Sequence, residues 1–134
     1  FQNFRTIHQP EHREKIRFVN AGGRLKNQLH REVPELAAKA VAQLYDMSSN
    51  APRKIIAHTG GRDVIEAIER AIPGQKLSAT REILRQYGNI SSPSVLAALE
   101  HSLATSPHAE SLWLTAFGAG FAAHSGELVA SQDV

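Results

Sequence analysis

Three short stretches carry side chains able to do chemistry together. The first is Ile55-Ile56-Ala57-His58-Thr59-Gly60-Gly61, in which an imidazole follows an apolar run and precedes a glycine pair. The second is Tyr87-Gly88-Asn89-Ile90-Ser91-Ser92-Pro93-Ser94-Val95, which holds a carboxamide between a glycine and a Ser-Pro step. The third is Ala116-Phe117-Gly118-Ala119-Gly120-Phe121, a glycine-rich loop sequence between aromatic residues. A neutral imidazole and a carboxamide can both donate hydrogen bonds to one oxygen, and a glycine-rich loop adds backbone N–H groups. Such an oxyanion site stabilises a transition state by several kcal/mol, roughly 3 per donor. Each stretch also has a plainer reading. Asn89 can be a turn residue, His58 a hydrogen-bonded core histidine, and Phe117 to Phe121 an ordinary hairpin.

The elements around these stretches would hold them at ends of regular structure. Gly88 can end a helix over Ser78 to Tyr87, because glycine takes a left-handed backbone at little cost. Ser92 and Pro93 read as N-cap and first residue of a helix running to Ala104. Ile83, Leu84 and Tyr87 are the expected inward residues of the first helix, and Val95, Leu96, Leu99 and Leu103 share a face of the second. Lys54 to Ala57 reads as a short strand, so His58 stands at its carboxyl end, where open α/β sheets bind ligands. Gly60 and Gly61 turn the chain into a helix marked by Val64, Ile65, Ile68, Ala71 and Ile72, which Pro73-Gly74 stops.

The remaining chain supplies the rest of the layer. Phe1 to Ile7 and Lys15 to Val19 read as strands joined by the polar Gln9-Pro10-Glu11-His12, with Ile16 and Phe18 on one face. Asn20-Ala21-Gly22-Gly23 breaks the second strand. Arg24 and Lys26 follow, two cations beside a glycine pair that can meet a phosphate. Val33-Pro34-Glu35 opens a helix with proline in its first turn and a carboxylate near its positive end. Its expected buried face is Val33, Leu36, Ala37, Ala40, Val41 and Leu44. Ser48 to Pro52 reads as a loop. Leu112 to Ala116 and Phe121 to Ser131 read as strands joined so tightly that they should be antiparallel neighbours. Strands and helices interleave, which points to an α/β layer with a mixed sheet.

Composition narrows the class. The 134 residues are one domain's worth. A hydrophobic share of 42% and a charged share of 21% are those of an ordinary globular chain. A formal charge of +2 is too small to argue for nucleic acid, and no apolar run has the length of a membrane span. No cysteine is present, so there is no disulfide, thiolate metal site or cysteine nucleophile in these residues. His8 and His12 have the spacing of helical metal ligands, but Pro10 lies between them, and no metal site is expected. The chain opens on Phe1 and reads as a piece of a longer, processed or tagged polypeptide.

The three motifs, in this order and spacing over Lys15 to Ser131, resemble the C-terminal half of thiolase-superfamily condensing enzymes. His58-Thr59-Gly60-Gly61 and Gly88-Asn89-Ile90-Ser91-Ser92 resemble type III polyketide synthases of the chalcone synthase kind. Ala116-Phe117-Gly118-Ala119-Gly120-Phe121 resembles beta-ketoacyl-ACP synthase III. The resemblance implies an α/β fold, one thiolase-like half of an α-β-α-β-α enzyme, with residues 1–134 as the C-terminal domain. It implies an N-terminal half, absent here, that carries a cysteine nucleophile. It implies decarboxylative Claisen condensation in polyketide or fatty-acid-like biosynthesis, with no bound cofactor and a CoA or phosphopantetheine thioester as substrate. The implied partners are acyl-CoA or acyl carrier protein, the N-terminal half and a second copy in a cytoplasmic homodimer, without nucleic acid or membrane. Alternatives on the same scaffold are a non-catalytic subunit and an acyltransferase to an alcohol or amine.

The resemblance assigns roles residue by residue. His58 and Asn89 match the catalytic pair that binds the thioester oxygen and stabilises the enolate. Ala119 matches a glycine whose N–H serves the oxyanion hole of the acyl-cysteine. Lys26 matches a basic residue at the pantetheine tunnel mouth and Leu25 an apolar tunnel residue. Gly60, Phe117, Gly118 and Gly120 are implied substrate contacts. Arg24 and Arg62 are neighbours for a carrier or CoA phosphate. Thr59-Gly60-Gly61 departs from the Gln-Ala-Asn run of the synthase III branch, which removes an asparagine contact to pantetheine.

Overall fold

The computed structural model describes residues 1–48, 54–106 and 111–129. The expected loop residues 49–52 and strand residues 130 and 131 lie outside them. The described residues form two sheets. The larger has β1 (Gln2–His8), β4 (Ile55–Ala57), β5 (Ser111–Gly118) and β6 (Ala122–Val129) in the order β1-β6-β5-β4. β4 runs parallel to β5, and the other pairs are antiparallel, so the sheet is mixed as expected. The smaller sheet is the hairpin of β2 (Ile16–Ala21) and β3 (Arg24–Leu29).

Four helices cover the larger sheet: α1 (Val33–Asp46), α2 (Arg62–Ala71), α3 (Ser78–Tyr87) and α4 (Pro93–Thr105). Alternation along the strands decides which helices meet which face. Ile55, Ala57 and Trp113 join the cluster built on α1 and α2. Ile56 and Leu112 join the cluster of Ala79, Ile83, Ala98 and Leu99 from α3 and α4. The sheet therefore has a helical layer on each side. Trp113, fully buried, meets the Tyr45 ring edge-on at 5.6 Å.

Several expectations need correction. Asn20 and Ala21 belong to β2, so the break is confined to Gly22 and Gly23, which with φ of +60° and +75° form the two-residue turn between Ala21 and its partner Arg24, and Arg24 to Leu29, given no element in the sequence reading, is a strand. The polar connection contains a short 3₁₀ helix, Pro10–Lys15, and the strand after it starts at Ile16. Tyr87 is 61% exposed, at the last position of α3. Ala71 is exposed at the last turn of α2. On α4 the buried residues are Ser94, Ala98, Leu99 and Ser102, while Leu96 and Leu103 are exposed. Small side chains at every fourth position, Ser94, Ala98 and Ser102, share the buried face with Leu99, while Leu96 and Leu103 face outward. Ser92 precedes Pro93 without a side-chain capping bond.

Candidate active site

β4 is an edge strand, so Ala57 has a free N–H and C=O on its outer side. The buried Thr80 hydroxyl takes both, accepting from Ala57 N at 3.0 Å and donating to Ala57 O at 3.1 Å. On the inner side His58 N donates to Thr115 O of β5 at 2.8 Å. The backbone at the carboxyl end of β4 is thus tied to α3 and β5, and His58 leaves it from a fixed point. Its imidazole is half-buried, with Nδ1 2.7 Å from Ser94 Oγ. The Phe117 ring meets it edge-on at 5.2 Å. Burial pushes the imidazole pKa below its ordinary 6.5, and a backbone hydrogen bond at Ser91 pulls the other way.

Asn89 sits in the turn between α3 and α4. Its Oδ1 accepts from Ser91 N at 3.0 Å and its Nδ2 donates to Gly60 O at 3.2 Å. A backbone donor and a backbone acceptor thereby set which way round the amide lies. The Thr59 hydroxyl adds a long contact of 3.5 Å to Oδ1. The turn holds Gly88 at φ +71° and Ser91 at φ +61°, the latter an uncommon conformation for a residue with a Cβ. Gly60, at φ +52°, has no room for a side chain: a Cβ there would be 2.9 Å from Phe117 Cζ and 3.0 Å from Val64 Cγ1.

His58, Asn89, Gly60, Phe117, Gly118 and Ala119 all line one cavity of about 700 Å³. The hairpin closes its far side with Ile16, Phe18, Asn27 and Leu29, and His30 and Arg31 line it as well. Arg24, Leu25, Lys26, Arg62 and Gly120, the other residues to which the resemblance gives a role, do not line it. Register puts Leu25 on the hairpin face of Phe18, Asn27 and Leu29, nearer the tip, and puts Arg24 and Lys26 on the opposite face with Val19 and Ala21. Arg62 is exposed at the start of α2, 3.8 Å from Asp63 and 4.0 Å from Glu66. Gly120, at φ +89°, turns the chain between β5 and β6, where the nearest outside atom to an added Cβ would be His8 Nε2 at 4.0 Å. Ser94, Asn27, His30 and Arg31 were missed by sequence reading. The Gly22-Gly23 step was a hairpin signal that would have placed Asn27 on the face of Phe18. Ser94 carried no separable signal, since a serine at the start of a helix reads as part of a cap.

The pair can act on one ligand. Asn89 has used one of its two amide hydrogens and both roles of its oxygen on the turn. His58 has Nδ1 beside Ser94 Oγ, and its ring also meets the Ser91 backbone, on the wall of the cavity. Among the described residues no group of three or more His, Cys, Asp and Glu side chains is placed to hold a metal ion. Hydrogen-bond donation is chemistry that an imidazole and a carboxamide offer.

The fold recurs in solved structures. CsyB complexed with CoA-SH matches with a TM-score of 0.85 and 21% identity, over 96% of this chain and 40% of that one. PKS-I from the brown alga Ectocarpus siliculosus matches at 0.80 and 20%, over 96% and 38%. A type III pentaketide synthase from Neurospora crassa matches at 0.76 and 19%, over 97% and 40%. The chain therefore spans about two-fifths of the length of these proteins. The family model for the C-terminal domain of chalcone and stilbene synthases matches residues 13–123, a stretch that holds β2 through the loop after β5 and every residue of the His58–Asn89 site. On that match the chain belongs to the chalcone and stilbene synthase family.

Proposed function

We propose that these residues form the oxyanion-binding half of a polyketide-forming condensing enzyme. The observation that carries the proposal is that an imidazole, His58, and a carboxamide with one unspent amide hydrogen, Asn89, stand on the wall of one cavity. A malonyl thioester bound there loses its carboxylate as carbon dioxide. The electron pair of the broken C–C bond moves into the thioester, and negative charge gathers on its oxygen. Donors fixed before the reaction stabilise that charge more than they stabilise the neutral ground state. The enolate carbon then attacks an acyl thioester carbonyl, a C–C bond forms, and the thiolate leaves. The thiolate that holds the acyl group is the cysteine of an N-terminal half.

The thioester carrier in this reading is CoA, the compound with which CsyB was crystallised. Apolar residues of the hairpin suit the pantetheine arm, and Arg31 on the cavity wall offers a cation for a phosphate, with His30 next to it in sequence. Arg24 and Lys26 act, in this reading, on a phosphate or carrier outside the cavity. The test is made in the full-length protein. His58→Ala and Asn89→Ala are each expected to lower malonyl-CoA decarboxylation by roughly 10² or more while the far-UV circular dichroism stays the same. An undiminished rate of carbon dioxide release in either variant removes the proposal.

A further inference from the structure

We infer that Asn27 binds the ketone oxygen of a 3-oxoacyl chain, and so selects a chain that has already been extended over a plain acyl chain of the same length. Asn27 lies on β3 and lines the cavity of His58 and Asn89. The other hairpin residues that line it, Ile16, Phe18 and Leu29, are apolar. Register sets Phe18 directly across from Asn27, and Ile16 across from Leu29, on one face of the hairpin. The Asn27 carboxamide is therefore the polar side chain of an apolar wall. Its neighbour Gln28 is on the opposite face and spends its amide oxygen on Arg17 Nε at 3.0 Å. Among the described residues the Asn27 side chain has no such partner, and it is exposed to the cavity.

The proposed condensation determines what such a group meets. The enolate carbon bonds to the acyl carbonyl carbon, the thiolate leaves, and that carbonyl survives as a ketone two carbons along from the new thioester carbon. Each round thus leaves a neutral hydrogen-bond acceptor on a chain that is otherwise hydrocarbon. An amide N–H is the matching donor, and an uncharged amide holds no special attraction for a carboxylate or phosphate. An alkyl chain in the same place strips water from the carboxamide and returns no hydrogen bond, which is unfavourable. Attraction to the ketone and rejection of the alkyl chain act in the same direction. Ser91 and Ser92 also line the cavity, but they adjoin Asn89, where the proposed reaction holds the thioester oxygen. Asn27 is on a separate element, which suits a group further along the chain. Arg31 carries a charge and suits an anion instead.

This inference deepens the proposed condensation and rests on that reading for the class of ligand, but its test reads binding and needs no turnover. Two CoA derivatives are titrated into the full-length protein by calorimetry, the 3-oxobutyryl and the butyryl compound, which have equal carbon counts. In both, NH replaces the thioester sulfur, so that no acyl group is transferred. The unsubstituted protein is expected to bind the 3-oxobutyryl compound about tenfold more tightly, as for one hydrogen bond gained. Asn27→Leu is expected to bring the two affinities within twofold of each other, and β3 is exposed along its length, so the fold tolerates leucine there. Equal affinities in the unsubstituted protein overturn the inference and need no variant to fold. So does an Asn27→Leu protein that keeps the tenfold ratio. Either result beside normal carbon dioxide release from malonyl-CoA overturns the role of Asn27 alone. A preference that Asn27→Leu abolishes, in a protein that releases no carbon dioxide, supports that role and overturns the proposed reaction. Binding of neither compound overturns both.

Discussion

At the scale of single residues, the site is a matter of which polar atoms are spent on structure and which are left over. Asn89 holds its own turn through Ser91 N and reaches across to Gly60 O, so its remaining amide hydrogen comes at no cost to the fold. His58 bears a different burden, because half-burial opposes its charged form. An unfolded chain binds a proton at this histidine near pH 6.5, whereas the folded chain resists it to lower pH. Between those values the unfolded state holds more protons, so stability rises with pH. The contribution of His58 is complete above 6.5 and is lost as pH falls through the folded value. The urea midpoint is expected to drop between about pH 7.5 and pH 5.5, and to drop less in His58→Gln. Equal drops in both proteins would show that the other histidines and the carboxylates account for it.

At the scale of elements, the site depends on the three-residue strand β4. So short a strand, bonded to one neighbour, needs its outer edge closed, and Thr80 closes it. Thr80→Val keeps the volume and removes the hydroxyl, leaving a buried N–H and C=O of Ala57 without partners. A loss of about 2 kcal/mol in chemical denaturation is expected, and a change below a few tenths would mean water replaces the hydroxyl. Why β4 could be read from sequence while β3 could not follows from the same physics. Ile55-Ile56-Ala57 is buried on both faces and shows as an uninterrupted apolar run before a glycine pair. Arg24 to Leu29 is exposed along its whole length, so alternation leaves no hydrophobic imprint, and the turn glycines were its one mark. α4 misled in the opposite sense. Val95, Leu96, Leu99 and Leu103 suggested the buried face; Leu99 lies on it, but Leu96 and Leu103 are exposed, and Ser94, Ala98 and Ser102 are buried beside Leu99. His58, Asn89 and the Phe117 loop were legible because each lies at the end of an element with strong punctuation. Ser94 and Asn27 depend on how elements are brought together, which no local pattern records.

At the scale of the molecule, apolar surface remains uncovered. Leu96 and Leu103 of α4 are 62% and 41% exposed, and Phe4, 73% exposed, lies over Gly126 on the same side of the sheet with Phe1 stacked against it at 6.4 Å. Exposed apolar groups of this kind drive association when nothing covers them. Residues 1–134 expressed alone are expected to self-associate at micromolar concentration and to load no acyl group from acyl-CoA. Leu96→Lys with Leu103→Lys is expected to shift the segment toward monomer in sedimentation velocity. A monodisperse monomer without those changes would mean that the present surface is sufficient by itself, and covalent acyl loading would require a nucleophile other than cysteine.

The parallel pairing of β4 with β5 has a consequence in time. Ile55 finds Trp113 only after α2, α3 and α4 have been threaded between them, and Gln2 of β1 meets Glu127 of β6 from near the other end of the chain. The β2–β3 hairpin and α1 close locally and pay little loop entropy, whereas these two pairings wait on nearly everything else. His58 takes its backbone anchor from Thr115 of β5, so the imidazole is not in place until that late step is finished. During synthesis the nascent chain can thus carry formed helices and a formed hairpin while the site does not yet exist. The cavity is born once β5 has been made and has paired with β4.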